Sequence, residues 1–162
     1  MENLGKHLDN LAGFGQSVVV AFNKYAFDTT EEVETVEAFC RARGISFAVN
    51  EAFTHGGAGA VKLAEAVADA VENKPSGDLK FTYDDEDDIE TKLTKVATQI
   101  YGARDVVLGE KALKKLKLIE GTPLEQMPVC IAKTQYSFSA DPKWYGVARR
   151  IDIVNGEIEG LS

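Results

Sequence analysis

Residues 17–59 hold the pattern that most restricts what this chain can fold into. An unbroken apolar run, Val18-Val19-Val20-Ala21-Phe22, is followed by a polar turn, an amphipathic segment and a second apolar run, Ile45-Ser46-Phe47-Ala48-Val49. Short continuous apolar runs suit strands covered on both faces, as in a parallel sheet. Between them, Asp28 with Glu31 three residues later reads as a capping box. Val33, Val36, Phe39 and Cys40 fall on one helical face, and Gly44 is placed to end the helix in a left-handed turn. The pattern predicts a βαβ unit, and parallel crossovers of this kind are right-handed.

Open α/β sheets bind ligands at the carboxyl ends of their strands. The segments that follow these two strands are Asn23-Lys24-Tyr25-Ala26-Phe27 and Asn50-Glu51-Ala52-Phe53-Thr54-His55-Gly56-Gly57. Tyr25 and Phe53 are thereby expected over neighbouring strand ends, where a flat heteroaromatic ring could stack between them. Spacing alone leaves a second reading open, in which both rings simply cap the core beneath the loops.

The rest of the chain reads as more α/β structure. Leu4, Leu8, Leu11 and Phe14 mark an opening helix that ends at Gly13 and Gly15. That helix comes without a strand before it, which hints at a missing front half. Gly56-Gly57-Ala58-Gly59 opens a helix running to about Glu72, with a buried stripe of Val61, Ala64, Val67, Ala68 and Val71 expected. After a connector at Asn73–Asp78, Ile89, Leu93, Val96 and Ile100 share a helical face ended by Gly102. Asp105–Leu108 suits a short strand, and Lys111–Ile119 suits a helix with a solvated lysine face. Pro128-Val129-Cys130-Ile131-Ala132 reads as another buried strand, delivering Lys133-Thr134-Gln135 to its end, and Asn155-Gly156 signals a terminal hairpin. The expected fold is α/β: a three-layer, mainly parallel sheet flanked by helices, Rossmann-like or P-loop-NTPase-like without the P-loop, with a C-terminal β-hairpin. We expect one domain over residues 1–162, with a βαβ half at 1–73 and a second half at 78–162.

Composition excludes several classes. A net charge of −8 and a pI near 4.8 disfavour nucleic acid, whose phosphates need clustered Lys and Arg. No apolar run approaches the ~20 residues that span a membrane, and the first residues lack the basic-then-apolar order of a signal peptide. The two cysteines, Cys40 and Cys130, have no metal-ligand spacing and suit buried free thiols in a cytoplasmic protein. Asp84-Asp85-Glu86-Asp87-Asp88 lacks the spacing and glycine of an EF-hand and reads as an acidic helix start. No metal site is expected.

Catalytic motifs are missing too. The chain has no GxxxxGK[ST], no GxGxxG after a strand and no nucleophile elbow, so no catalytic residue is expected. His7 lies on the opening helix. His55 sits beside glycines at an expected helix start, where backbone amides favour anions, although a lone histidine there is more often structural.

A family resemblance emerges at this point. Glu2-Asn3-Leu4-Gly5-Lys6-His7, Val18–Asn23, Gly56-Gly57-Ala58-Gly59, Ile100-Tyr101-Gly102-Ala103 and, most specifically, Pro128-Val129-Cys130-Ile131-Ala132-Lys133-Thr134-Gln135-Tyr136-Ser137-Phe138-Ser139 resemble the formate–tetrahydrofolate ligases. The resemblance runs in order along nearly the whole chain. It matches only the folate-side part of a longer family chain, whose front half carries the P-loop and handles ATP and formyl phosphate. An internal segment of a few dozen glycine-rich residues after Lys143 also has no counterpart. The resemblance implies a pterin ring held between Tyr25 and Phe53, flanked by Ala26 and Val49. The family usually has Phe-Pro at Tyr25-Ala26, Trp at Phe53 and Lys at His55. Lys24, His55, Lys133 and Gln135 are further polar groups that could border the crevice. It implies tetrahydrofolate as substrate, and ATP only together with a partner half. The partners it implies are a separate ATP-binding ligase subunit or further copies of this chain in a homo-oligomer. The alternative is a non-catalytic folate-binding or interaction module.

Overall fold

In a computed structural model, β1 (Val19–Asn23) and β2 (Ser46–Asn50) lie parallel and in register from Val19 opposite Ser46 to Asn23 opposite Asn50. The structure describes residues 1–131 and the backbone of 151–154 and 157–159. Contacts divide the chain into two compact units, one of Met1 and Leu11–Leu79, the other of Glu2–Asn10 and Lys80–Ser162.

In the first unit, α2 (Thr30–Ala42) connects the two strands. Its start differs by one residue from the expected one. Thr29, not Asp28, is the cap: its hydroxyl accepts from the Glu32 amide while the Glu32 carboxylate accepts from the Thr29 amide. Both pairs fit the same sequence signature, and Asp28 is instead committed to the Tyr25 amide, which its carboxylate accepts at 2.7 Å. Those bonds to Thr29 hold the Glu32 carboxyl below its ordinary range. The helix ends as expected: Gly44 has φ +68°, its amide donates to Arg41 and that of Ile45 to Cys40, which together form a Schellman turn. Val33, Val36 and Phe39 are half-buried and Cys40 is fully buried, its thiol pushed up by burial. Phe22 and Phe47 meet across the strands with ring centroids 6.4 Å apart.

The chain then differs from the single helix expected after Gly56. A four-residue helix, α3 (Ala52–His55), passes through a 3₁₀ segment, Gly56–Ala60, into α4 (Val61–Asn73). The face of α4 is a correction. Leu63, Ala66 and Ala70 turn inward, whereas Val61, Ala64, Val67, Ala68 and Val71 are exposed. Both stripes are apolar at helical spacing, so periodicity could not choose between them; packing against β1 and β2 does.

In the second unit, α5 (Ile89–Gln99) leads through β3 (Val106–Leu108) to α6 (Glu110–Ile119). The acidic run is a helix start, as expected. The Asp88 carboxylate caps the Thr91 amide at 2.7 Å, and Lys95 pairs with Asp84 and Asp87. The Lys95 hydrogen bond lowers the Asp87 carboxyl, and the Thr91 amide lowers that of Asp88. Lys6 and Asn10 of α1 (Glu2–Gly13) donate to the Gln99 and Ile100 carbonyls, which an α5 terminus would otherwise leave unpaired. Ala97, Ala103 and Ala112 form a small core with Leu93, Tyr101, Val106 and Leu108.

The sheet differs most from expectation. Among the described residues there are two sheets, not one. The first is β1–β2; in the second, β3 pairs parallel with β4 (Ile151–Val154) and β4 antiparallel with β5 (Glu157–Glu159). The hairpin strands pair as Asn155-Gly156 predicted, though they extend β3 rather than the margin of β1–β2, and the two turn residues lie outside the described ones. Val129, Cys130 and Ile131 are not a strand. Their backbone is held by a side chain instead: the Tyr83 hydroxyl accepts from the Val129 amide at 3.0 Å and donates to its carbonyl. Ala132 lies outside the described residues, and Cys130 is exposed rather than buried. The α/β class stands, with a small parallel pair at its head.

Candidate functional site

Register brings β1 and β2 to an end together, at Asn23 and Asn50, and the two amides seal that end. Asn50 Nδ2 donates to Asn23 Oδ1 at 2.8 Å, the Asn50 carbonyl accepts the Lys24 amide, and Asn50 Oδ1 accepts the Ala52 amide. Both loops therefore leave the sheet from fixed points. Beyond β1, the Tyr25 carbonyl accepts the Asp28 amide while the Asp28 carboxylate accepts the Tyr25 amide. That closed turn sets Tyr25 and Phe27 side by side, their rings 5.9 Å apart and within 8° of parallel. Beyond β2, the Glu51 amide donates to the Gly59 carbonyl, and a Cβ on Gly59 would overlap the Glu51 carbonyl. Only glycine permits that approach. It anchors the short helix that carries Phe53.

Phe53, from the loop beyond β2, also meets Tyr25, with ring centroids 5.9 Å apart and planes inclined by 52°. None of the three rings is core: Tyr25 is 47% exposed, Phe27 82% and Phe53 86%. Three contiguous exposed aromatics on one pair of strand ends form the kind of apolar patch that marks a binding surface.

Beside them is a cavity of about 250 Å³ lined by Lys24, Thr30, Val33, Val49, Glu51, Ala58, Gly59 and Lys62. Lys24 and Glu51 pair across it at 3.3 Å, both about 40% exposed, so the pair contributes at most about 1 kcal/mol and remains free to exchange partners. In the second unit, a cavity of about 270 Å³ is lined by Ile89, Leu113, Leu116 and Ile119 together with Asp88, Glu90, Lys117, Glu120 and Glu125. Among the described residues, no ring and no strand end borders it.

The predicted residues are thus partly united. Tyr25 and Phe53 touch; Lys24 and Val49 line the adjoining cavity; Ala26 is exposed in the turn between Tyr25 and Phe27. His55 is exposed where α3 ends and the 3₁₀ segment begins; it stands at the N-cap of that segment, with no side-chain cap bond, six residues before α4 begins. Lys133 and Gln135 lie outside the described residues. Sequence reasoning passed over Phe27, Thr30, Glu51 and Lys62. Phe27 carried a signal, an aromatic two residues from Tyr25 in a polar turn; the other three are ordinary surface residues until the fold gathers them. No group of metal ligands occurs among the described residues, and none of the described helices is long and apolar enough to cross a membrane.

The family model described as formate–tetrahydrofolate ligase matches residues 1–159. The chain belongs to the formate–tetrahydrofolate ligase family. Among its relatives, the Bacteroides fragilis formate–tetrahydrofolate ligase is 52% identical over 153 residues, covering 94% of this chain and 28% of its own. That of Campylobacter concisus is 55% identical over 150 residues, covering 92% of this chain and 27% of its own. That of Phocaeicola vulgatus is 46% identical over 198 residues, with 99% and 36% covered. This family member therefore spans about a quarter to a third of the length of the curated relatives it matches. An alignment of 198 positions against 162 residues also leaves no fewer than 36 positions of the Phocaeicola ligase without a counterpart here.

Proposed function

We propose that this chain supplies the tetrahydrofolate-binding surface of a formate–tetrahydrofolate ligase, with the pterin ring stacked against Tyr25 and Phe53 and flanked by Ala26 and Val49. The observation that carries the reading is the exposure of these two rings: they contact each other at the ends of adjacent parallel strands yet contribute nothing to the core. Lys24, His55, Lys133 and Gln135 are the polar groups we assign to the margin of that surface. The proposed framework is the three-layer α/β fold of one folate-side module, supported by the parallel β1–β2 pair and its connecting helix.

In the reaction we assign to the complete assembly, formate attacks the γ-phosphorus of ATP, and ADP leaves. N10 of tetrahydrofolate then attacks the carbonyl carbon of formyl phosphate. Phosphate leaves with the bonding electrons, and N10 loses its proton. The first step needs a cation-lined phosphate cradle. With no GxxxxGK[ST] in the sequence, we assign that step to a separate ATP-binding chain or to another part of an assembly. The purified chain should then bind tetrahydrofolate but release no phosphate from ATP and formate.

Calorimetry paired with thermal melts tests the reading. Each stacked ring contributes about 1–3 kcal/mol by area and aromatic pairing. Phe53→Ala should therefore weaken tetrahydrofolate binding roughly 5- to 100-fold without lowering the melting temperature. Phe39→Ala, on the half-buried face of α2, should lower the melt first. A Phe53→Ala protein that melts far lower but binds as before would assign the ring to the core.

A further inference from the structure

Tyr25 and Phe53 leave no room between them for a ligand. A ring stacked on two parallel neighbours needs about 3.5 Å on each side, hence about 7 Å between their planes, yet their centroids are 5.9 Å apart and inclined by 52°. One of them must swing aside, and their surroundings differ. The ring of Tyr25 is stacked with Phe27, nearly parallel at 8°, and its backbone amide and carbonyl are both bonded to Asp28. Phe53 is 86% exposed and makes its one described ring contact with Tyr25. We infer that Phe27 is a positioning residue that holds Tyr25 as the fixed wall of the ligand-binding site, and that Phe53 is the wall that moves to admit a planar ring.

The inference rests on the tetrahydrofolate reading but concerns a side chain that reading does not use. Phe27 is 82% exposed, so its phenyl group is exposed at a cost that folding does not repay. The 25–28 turn that exposes it is the same turn that orients Tyr25. A leucine at position 27 would keep the apolar volume and lose the stack; a tyrosine would keep the stack.

The test uses the full 162-residue chain and two readouts. Without ligand, NMR follows the ring protons of Tyr25, which a parallel neighbour shifts upfield. That shift should be present in the wild type and in Phe27→Tyr and lost in Phe27→Leu. With tetrahydrofolate, Phe27→Leu and Phe27→Ala should weaken binding about three- to tenfold, the size of one aromatic pair. Phe27→Tyr should restore it, and the melting temperature should be unchanged in all three. Phe27→Leu binding like the wild type, or a Tyr25 signal indifferent to position 27, would overturn the inference while leaving the folate reading intact. Failure of the wild type itself to bind tetrahydrofolate would overturn both.

Discussion

At the ends of β1 and β2 the chain leaves three aromatic rings in solvent, whereas in the first turn of α5 it buries a lysine. There Lys92 is completely buried, its ammonium donating to the Asp85, Gln126 and Met127 carbonyls and lying 5.8 Å over the Tyr83 ring. Asp84, Asp87 and Asp88 are committed to Lys95 and to helix amides. The expected roles of polar and apolar groups are exchanged between the two places. A charge with every hydrogen bond met is architecture, and a phenyl group left more than four-fifths in solvent is an offered surface. Exposure and satisfaction separate structure from function better than residue type does.

The contrast breaks most readily at Lys92. Lys92→Met leaves three part-buried carbonyls without their donor, and we expect a loss of about 2–4 kcal/mol in urea unfolding. Phe27→Ser, by comparison, should stay within about 0.5 kcal/mol. If the two cost the same, the contrast is wrong. Next in size is the α2 cap: Thr29→Ala removes the hydroxyl that holds the Glu32 amide and should cost about 1 kcal/mol by the same measurement.

Acid titration sharpens the same point. Glu32, Asp87 and Asp88 all have lowered folded values. Their stabilisation is therefore fully present above the ordinary values of 4.5 and 3.8 and is lost as pH falls through the lower folded ones. Melting temperatures followed from pH 7 downward should begin to fall only near those values. In Asp87→Asn, that part of the acid dependence should flatten. The smallest expected effect is Val71→Ser, on the exposed flank of α4, which should lie within about 0.5 kcal/mol of the wild type. Leu63→Ala, on the inward face, should cost clearly more. Equal losses would restore the discarded stripe.

Much of this was legible from residue order, and the failures share a cause. The continuous runs at Val18–Phe22 and Ile45–Val49 announced β1 and β2 because few other structures accommodate them, and Gly44 announced the end of α2. Two overlapping signatures, Asp28 with Glu31 and Thr29 with Glu32, could not be ranked without knowing that Asp28 binds the Tyr25 amide. A helix that is apolar over most of its circumference hides which side meets the sheet, as α4 did. Pro128–Ile131 has the composition of a strand but is pinned by one tyrosine hydroxyl 46 residues away, a contact no local pattern encodes. Lys92 was invisible for the same reason: a lysine on a helix reads as solvated until distant carbonyls converge on it. At the candidate site, the aromatic pair and the cavity residues Lys24 and Val49 were named from their places by the strand ends, whereas Thr30, Glu51 and Lys62 emerged only with the turn and the α4 start in view.

The pairing of β3 with β4 has a consequence for synthesis. During elongation β1 acquires its neighbour once Asn50 has emerged, but Val106-Val107-Leu108 must wait for Ile151–Val154. For that interval it is an apolar edge open to any passing strand, the situation that leads to aggregation. The strand is only three residues long, with Arg104-Asp105 before it and Glu110-Lys111 soon after. Charges flanking a short hydrophobic run act as gatekeepers, so the residues that bracket β3 protect a nascent chain as much as they solvate a finished one.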